Sequence, residues 1–432
     1  MNEKTNESRS KKLYQAVWRW HFYAGLFVVP FGILLAITGS IYLFKPYVEP
    51  LLCRNLYEVP VGPGTTTPEQ QVEAASAVFP DASVTHYLPP PAPGRSAEVD
   101  LLTPGQEQIK VYVNPYTGEV PGFLEGDKTF MQRIRKLHGE LLLGRFGTTI
   151  VELVACWAIV LLISGLYLWW PRNQKGSLAG ILLIRVKSGG RTFWRDLHAV
   201  GGVYTSFLVL FLLATGLPWT DTWGEIFKSV QKSTAQATPP GRFFNPYKSK
   251  EPANGQPPLT ISQVQQLAVA LNFPAEIAIE LPKGPAGTYA IHYDPTDPAR
   301  QRMVHLDQYD GMIVKETTWE EYPATAKAIA LGVRLHQGEY FGIANLLLSL
   351  LAALGMALQT ISGFTMWWKR RPQGELGIPK LPENLAIPRF IFGITVALGV
   401  FFPLVGASLI ALWILENALL KRVPKLRPIL GL

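Results

Sequence analysis

The chain has 432 residues and a formal net charge of +8, with 40 Lys and Arg against 32 Asp and Glu. Its apolar residues are gathered into long blocks, which marks an integral membrane protein and not a string of soluble domains. The basic residues flank those blocks, so the charge reads as membrane topology and argues against a nucleic-acid partner. Cys53 and Cys156 belong to no CxxC or CxxCH pattern, which excludes a disulfide framework and a covalently attached haem.

A basic leader, residues 1–17, carries Lys11 and Lys12 and precedes the first predicted span, 18–44. That block is too long for the apolar core of a signal peptide, and no Ala-x-Ala signal follows it, so it is expected to remain as an anchor. Residues 45–146 are rich in Pro, Gly, Thr and alternating apolar positions, the pattern of a small α+β module. A second span follows at 147–170, then a basic loop at 171–197 with Arg172, Lys175, Arg185, Lys187 and Arg191. The third span is placed at 198–220, a second α+β module at 221–340, and the fourth span at 341–368. Lys369, Arg370 and Arg371 open another basic loop, 369–389, before a fifth span at 390–415 and a tail, 416–432.

Basic residues mark cytoplasmic ends. The leader and both loops are therefore assigned to the cytoplasm, and the two modules to the outside, each as one compact body. Lys421, Arg422, Lys425 and Arg427 of the tail fit this scheme poorly if the fifth span crosses fully.

The sequence reads as an internal duplication of a span, module, span unit. Spans two and four align without a gap, pairing Leu137-His138 with Leu335-His336, Gly144 with Gly342, Ser164-Gly165 with Ser362-Gly363, Trp169-Trp170 with Trp367-Trp368, and Arg172 with Arg370. Spans one and three pair His21 with His198, Gly25 with Gly202, and Thr38-Gly39 with Thr215-Gly216. Within the modules, the run from Val111 to Val120 matches that from Val304 to Ile313, each a strand, a turn with Gly118 or Gly311 suited to positive φ, and another strand.

Of seven histidines, His21, His138, His198 and His336 fall at the starts of the first four spans, whereas His86, His292 and His305 lie in the modules, where His292 and His305 read as ordinary module residues. An imidazole near a membrane interface is tolerable by itself. Retention of four at matched positions of two diverged copies points to ligands. The predicted topology puts His21 with His198 at the cytoplasmic end and His138 with His336 at the outer, periplasmic end. Two protein ligands per site are too few for zinc, but suffice for haem, which brings four equatorial nitrogens of its own. Two bis-histidine b-type haems are thus expected. Gly25 and Gly202, one turn after their histidines, would let a flat ring approach, and Arg19, Arg135, Arg195 and Arg334, two or three residues before each histidine, are candidate propionate partners.

Several motifs together resemble the PepSY-associated transmembrane proteins of bacteria, which include inner-membrane ferric-siderophore reductases. They are Trp18-Arg-Trp-His21, Thr38-Gly39, Val113-Asn-Pro-Tyr-Thr-Gly118-Glu-Val, Leu137-His-x3-Leu-x-Gly144, and Ser164-Gly-Leu-Tyr-Leu-Trp-Trp-Pro-Arg172. The resemblance implies a mainly α membrane protein with PepSY folds in the modules, haem ligation by the four span histidines, a ferric siderophore as outer acceptor, and a bacterial inner-membrane location. No flavin-binding domain follows the last span, so a separate cytoplasmic or membrane electron donor is expected. The second module's turn has lost the Thr of the first. Two other readings stand beside this one: a di-haem protein with another acceptor, such as a copper chelate, a quinone or a partner protein, and a haem-free membrane-anchored PepSY module that binds or regulates a partner.

Overall fold

The computed structural model describes residues 2–171, 178–241, 245–250, 255–372, 377 and 388–418, so Arg172, Lys175 and the basic tail lie outside the described residues. In chain order the helices are α1 (Asn2–Leu43), α2 (Lys45–Leu52), α3 (Arg54–Tyr57), α4 (Pro68–Val78), α5 (Phe130–Glu140), α6 (Gly144–Trp169), α7 (Gly190–Gly216), α8 (Thr222–Ser233), α9 (Ile261–Ala270), α10 (Ala324–His336), α11 (Ile343–Arg370), α12 (Arg389–Phe401) and α13 (Pro403–Ala418). The strands are β1 (Ser83–Leu88), β2 (Ala97–Leu102), β3 (Gln108–Val113), β4 (Gly122–Glu125), β5 (Ala278–Glu280), β6 (Thr288–Tyr293), β7 (Arg302–Asp307) and β8 (Ile313–Thr318). The chain divides into two units, one of residues 1–43, 135–229 and 336–432, the other of residues 44–134 and 230–335.

Among the described residues, the first unit holds four helices long and apolar enough to cross a membrane: Lys11–Leu43 within α1, α6, Gly190–Trp219, and α11. Helices α1 and α7 each pack against both α6 and α11, closing a four-helix bundle. Val28 and Leu35 of α1 meet Val154 and Ala158 of α6 in its buried core. Small residues let the backbones come close: a Cβ at Gly32 would lie 2.6 Å from Thr360, and one at Gly355 the same distance from Thr205. The buried Glu152 of α6 accepts hydrogen bonds from the backbone N–H groups of Thr222 (2.8 Å) and Trp223 (2.9 Å), so the amino end of α8 satisfies both carboxylate oxygens.

The segment expected as a fifth span forms a broken pair of helices, α12 and α13, bent by 119°. Pro403 has no N–H to continue the helix across Phe402. Gly399 and Gly406 then let the two arms close on each other, since a Cβ on Gly406 would sit 2.7 Å from the Gly399 carbonyl oxygen. Phe402 and Val405 pack on Cys156 and Ile159 of α6, and the Trp157 indole donates to Ser408.

The second unit corrects the expectation of two separate modules. Its strands form one antiparallel eight-stranded sheet in the order β4-β3-β2-β1-β5-β6-β7-β8, joined at the centre by two register pairs, His86 with Glu280 and Tyr87 with Ile279. Helices α4 and α9 cover one face. Each begins with a capping box, Thr67 with Gln70 and Thr260 with Gln263. Val99, Val111, Ile279, Ile291, Val304 and Leu306 point into the core beneath them. Strand alternation turns Glu98, Asp100, Lys110, His86, Glu280, His292 and His305 to the other face. The two matched turns have the expected backbone, with Gly118 at φ +77° and Gly311 at φ +73°. Asn114 and Asp307 brace them, each accepting from the backbone N–H two residues on.

Candidate functional site

His21 lies on α1 and His198 on α7, both within the long bundle helices. His138 and His336 lie on the short helices α5 and α10, which turns separate from α6 and α11, and not in the spans themselves. Gly144, the first residue of α6, and Gly342, just before α11, are matched in sequence and share a φ of +58°.

All four imidazoles are held in one way. Nδ1 of His21 meets the Ser164 hydroxyl at 2.9 Å, Nδ1 of His198 meets Ser362 at 3.1 Å, and Nδ1 of His138 and His336 meet Thr38 and Thr215, both at 3.0 Å. Each hydroxyl already gives its own proton to a carbonyl in the preceding turn of its helix: Leu161 for Ser164, Leu358 for Ser362, Leu34 for Thr38 and Phe211 for Thr215. A hydroxyl whose proton is so placed can only accept from the ring. Nδ1 is therefore the protonated nitrogen, and Nε2 keeps the lone pair that binds a metal.

The residue after each hydroxyl is glycine, and the ring lies against it. A Cβ would come within 3.3 Å of the ring Cε1 at Gly165 (His21), 3.2 Å at Gly363 (His198), 3.0 Å at Gly39 (His138) and 3.6 Å at Gly216 (His336). These Ser-Gly and Thr-Gly pairs stand out in the sequence only as repeat markers. Their contact with the histidines was legible once span one was set beside span two and span three beside span four.

The rings of His21 and His198 meet in an edge-on arrangement, with centres 6.3 Å apart and planes at 83°. An ion bound between two imidazoles at about 2 Å from each nitrogen puts the ring centres roughly 6 Å apart, so this pair has the spacing to share one metal ion. His138 lies within electrostatic range of His336. His21 and Thr38, the α1 residues of the two groups, are separated by a helical rise of roughly 25 Å, which sets one group at each end of the bundle. With no carboxylate or thiol in either set, the residues fit a macrocycle that carries its own equatorial donors.

The remaining sequence candidates are more varied. A Cβ at Gly25 would meet nothing within 4 Å, whereas one at Gly202 would press on the Gln359 side chain at 3.0 Å. Arg19 is buried with its guanidinium 5.1 Å from the Tyr23 ring centre. Arg195 pairs with the fully buried Asp196 at 2.6 Å, a carboxylate shared with Arg185. Arg135 faces Glu140 at 3.8 Å, and Arg334 faces Asp294 at 3.2 Å.

The family model described as the PepSY-associated TM region matches residues 18–370, most of the chain and all four histidines. No curated protein matches the sequence.

Proposed function

This chain belongs to the family of the PepSY-associated TM region, and we propose that it is a di-haem b oxidoreductase of the bacterial inner membrane that passes electrons from the cytoplasmic side to an outer ferric siderophore. The observation that carries this reading is the fourfold repetition of an imidazole whose Nδ1–H is committed to a Ser or Thr hydroxyl. Haem held between two imidazoles supplies a one-electron carrier at each end of the bundle.

His21 and His198 would hold one group, and His138 and His336 the other. Ser164, Ser362, Thr38 and Thr215 fix the tautomer and ring orientation and make each imidazole a stronger donor. The arginines preceding the histidines bring positive charge for propionates, and Arg135, Arg195 and Arg334 would do so beside carboxylates of the chain. The acceptor follows from hard and soft preference: siderophore oxygens hold Fe(III) tightly, and reduction by one electron to Fe(II) loosens that grip. A separate cytoplasmic or membrane donor supplies the electron. On this reading the loops 171–197 and 369–389 face the cytoplasm and the sheet-bearing unit lies outside, an orientation that the basic flanks support. The outward order of strands from the β1-β5 seam, the two capping boxes and the four hydroxyl–glycine pairs support descent from a duplicated unit.

The test is a reduced-minus-oxidised optical spectrum of purified protein with a pyridine haemochrome count. Two b haems, one lost in His21→Ala and one in His336→Ala, together with reoxidation of the reduced protein by a ferric siderophore, are the expected result. Well-folded protein without haem would sink the proposal and leave a membrane-anchored binding module.

A further inference from the structure

The sheet brings together three histidines that the haem reading does not use. His86 on β1 stands directly across the central seam from Glu280 on β5, and His292 on β6 lies diagonal to Glu280. Next in the row is His305 on β7, diagonal to His292. All four side chains share the sheet face turned away from α4 and α9, because their neighbours Tyr87, Ile279, Ile291, Val304 and Leu306 fill the core on the other face.

The distances are those of a cation site. Glu280 Oε2 and His292 Nε2 are 3.2 Å apart. One ligand atom each from His86, Glu280 and His292 lies within 4.8 Å of the others. Donors around a tetrahedral ion at about 2 Å stand roughly 3.3 Å apart, so the pair is already placed and a small rotation of His86 completes the set. Nδ1 of His86 meets the Thr85 hydroxyl at 3.2 Å, leaving its Nε2 as the other ring nitrogen available to a metal.

A second observation points to a missing ligand. His305 is fully buried, yet among the described residues neither of its ring nitrogens has a hydrogen-bond partner, while its ring centre is 6.4 Å from that of His292 and 4.5 Å from that of Tyr247. Burial and the neighbouring His292 hold it neutral, with its pKa lowered to about 4. Two unmatched polar atoms at such a place are costly unless something polar sits nearby. Gly241, at φ +105°, gives the ring its room, because a Cβ there would lie 2.6 Å from Nε2. A cavity of about 250 Å³, lined by His292, Asp294, Met303 and Tyr322 among others, reaches the row at His292.

We propose that His86, Glu280 and His292 bind one divalent first-row transition-metal ion of the zinc or copper class, with a fourth position open to water beside His305. Two imidazoles and a carboxylate form the nitrogen and oxygen set that such ions prefer over magnesium or calcium. The ion would span the seam, since His86 comes from one half of the sheet and Glu280 and His292 from the other. The site is independent of the haem reading, and neither stands or falls with the other.

The test uses the full-length protein, purified in detergent, stripped with a chelator and titrated with Zn²⁺ by calorimetry. One equivalent should bind, and zinc-edge X-ray absorption should report two imidazoles and a carboxylate oxygen. Glu280→Gln and His292→Ala should each weaken zinc at least about 10-fold, and His21→Ala should leave it unchanged. Circular dichroism checks that the variants fold, and the wild-type absorption spectrum decides the matter even if they do not. A folded wild type that takes up no stoichiometric zinc, a spectrum without imidazole scattering, or a folded His292→Ala that binds as wild type does would each overturn the assignment.

Discussion

Replacing Thr38 with Val keeps the shape of the side chain and removes the acceptor that holds Nδ1 of His138. Thr38 is only 2 % exposed, so water cannot take the place of the hydroxyl. A buried N–H left without its partner costs about 1–3 kcal/mol, and second-layer partners of metal-bound histidines are typically worth about 10- to 100-fold in affinity. The haem proposed at His138 and His336 should therefore bind about 10- to 100-fold more weakly. Where it remains bound its midpoint potential should rise, because an imidazole that has lost its acceptor donates less and stabilises Fe(III) less. A differential of about 1 kcal/mol between oxidation states corresponds to roughly 40 mV for one electron, given about 59 mV per tenfold. Spectroelectrochemical titration would resolve the two proposed haems, and Thr38→Ser, which restores a hydroxyl, should return both occupancy and potential. An unchanged potential in Thr38→Val with full haem, or equal shifts of both haems, would refute the assignment of the hydroxyl to one ligand.

The glycine contacts make a graded prediction: Gly39→Ala, whose Cβ would press on His138 at 3.0 Å, should lower haem content at that site more than Gly216→Ala, where the gap to His336 is 3.6 Å. Haem-to-protein ratios measure this, and equal losses would count against it. Removing the Glu152 carboxylate with Glu152→Ala strands the backbone N–H groups of Thr222 and Trp223 and should destabilise the protein by roughly 2–4 kcal/mol, seen as a lower thermal midpoint in detergent, with Glu152→Gln milder. In chelator-treated protein, His305 stays neutral when folded, down to about pH 4, but takes a proton near its ordinary pKa when unfolded. The unfolded state then binds more protons, so stability should fall as pH drops from about 6.5 toward about 4. His305→Gln should flatten that slope in a pH series of melts.

Much of the plan was legible from residue patterns. Four apolar blocks gave four bundle helices, and the chance-defying recurrence of histidine at matched positions identified the ligand candidates. Gly118 and Gly311 were identified from turn chemistry, which is local. What escaped was set by contacts between distant segments. The hydroxyls of Ser164 and Ser362 were visible but mute, because hydropathy finds a helix without saying which helix lies beside it. The bend at Phe402-Pro403 hides inside a run that passes every test of length and composition, and even Pro30 sits within the unbroken α1, so proline alone does not announce a break. The two modules read as separate bodies because β1 and β5, nearly two hundred residues apart, carry no mark of their mutual edge, and with that edge unseen His86, His292 and His305 looked unrelated.

That edge also sets a timetable. Strands β1 to β4 are complete once the ribosome has passed Glu125, whereas their neighbour β5 begins only at Ala278. Roughly 150 residues separate the two, including α6 and α7, which at about 5–20 residues per second amounts to some 8–30 s of translation. Throughout that interval the nascent half-sheet presents the outer edge of β1 with its backbone donors and acceptors unpaired, the kind of edge on which chains aggregate. Its exposure ends when the second half emerges from the same chain, so membrane insertion of α6 and α7 comes before the sheet can close.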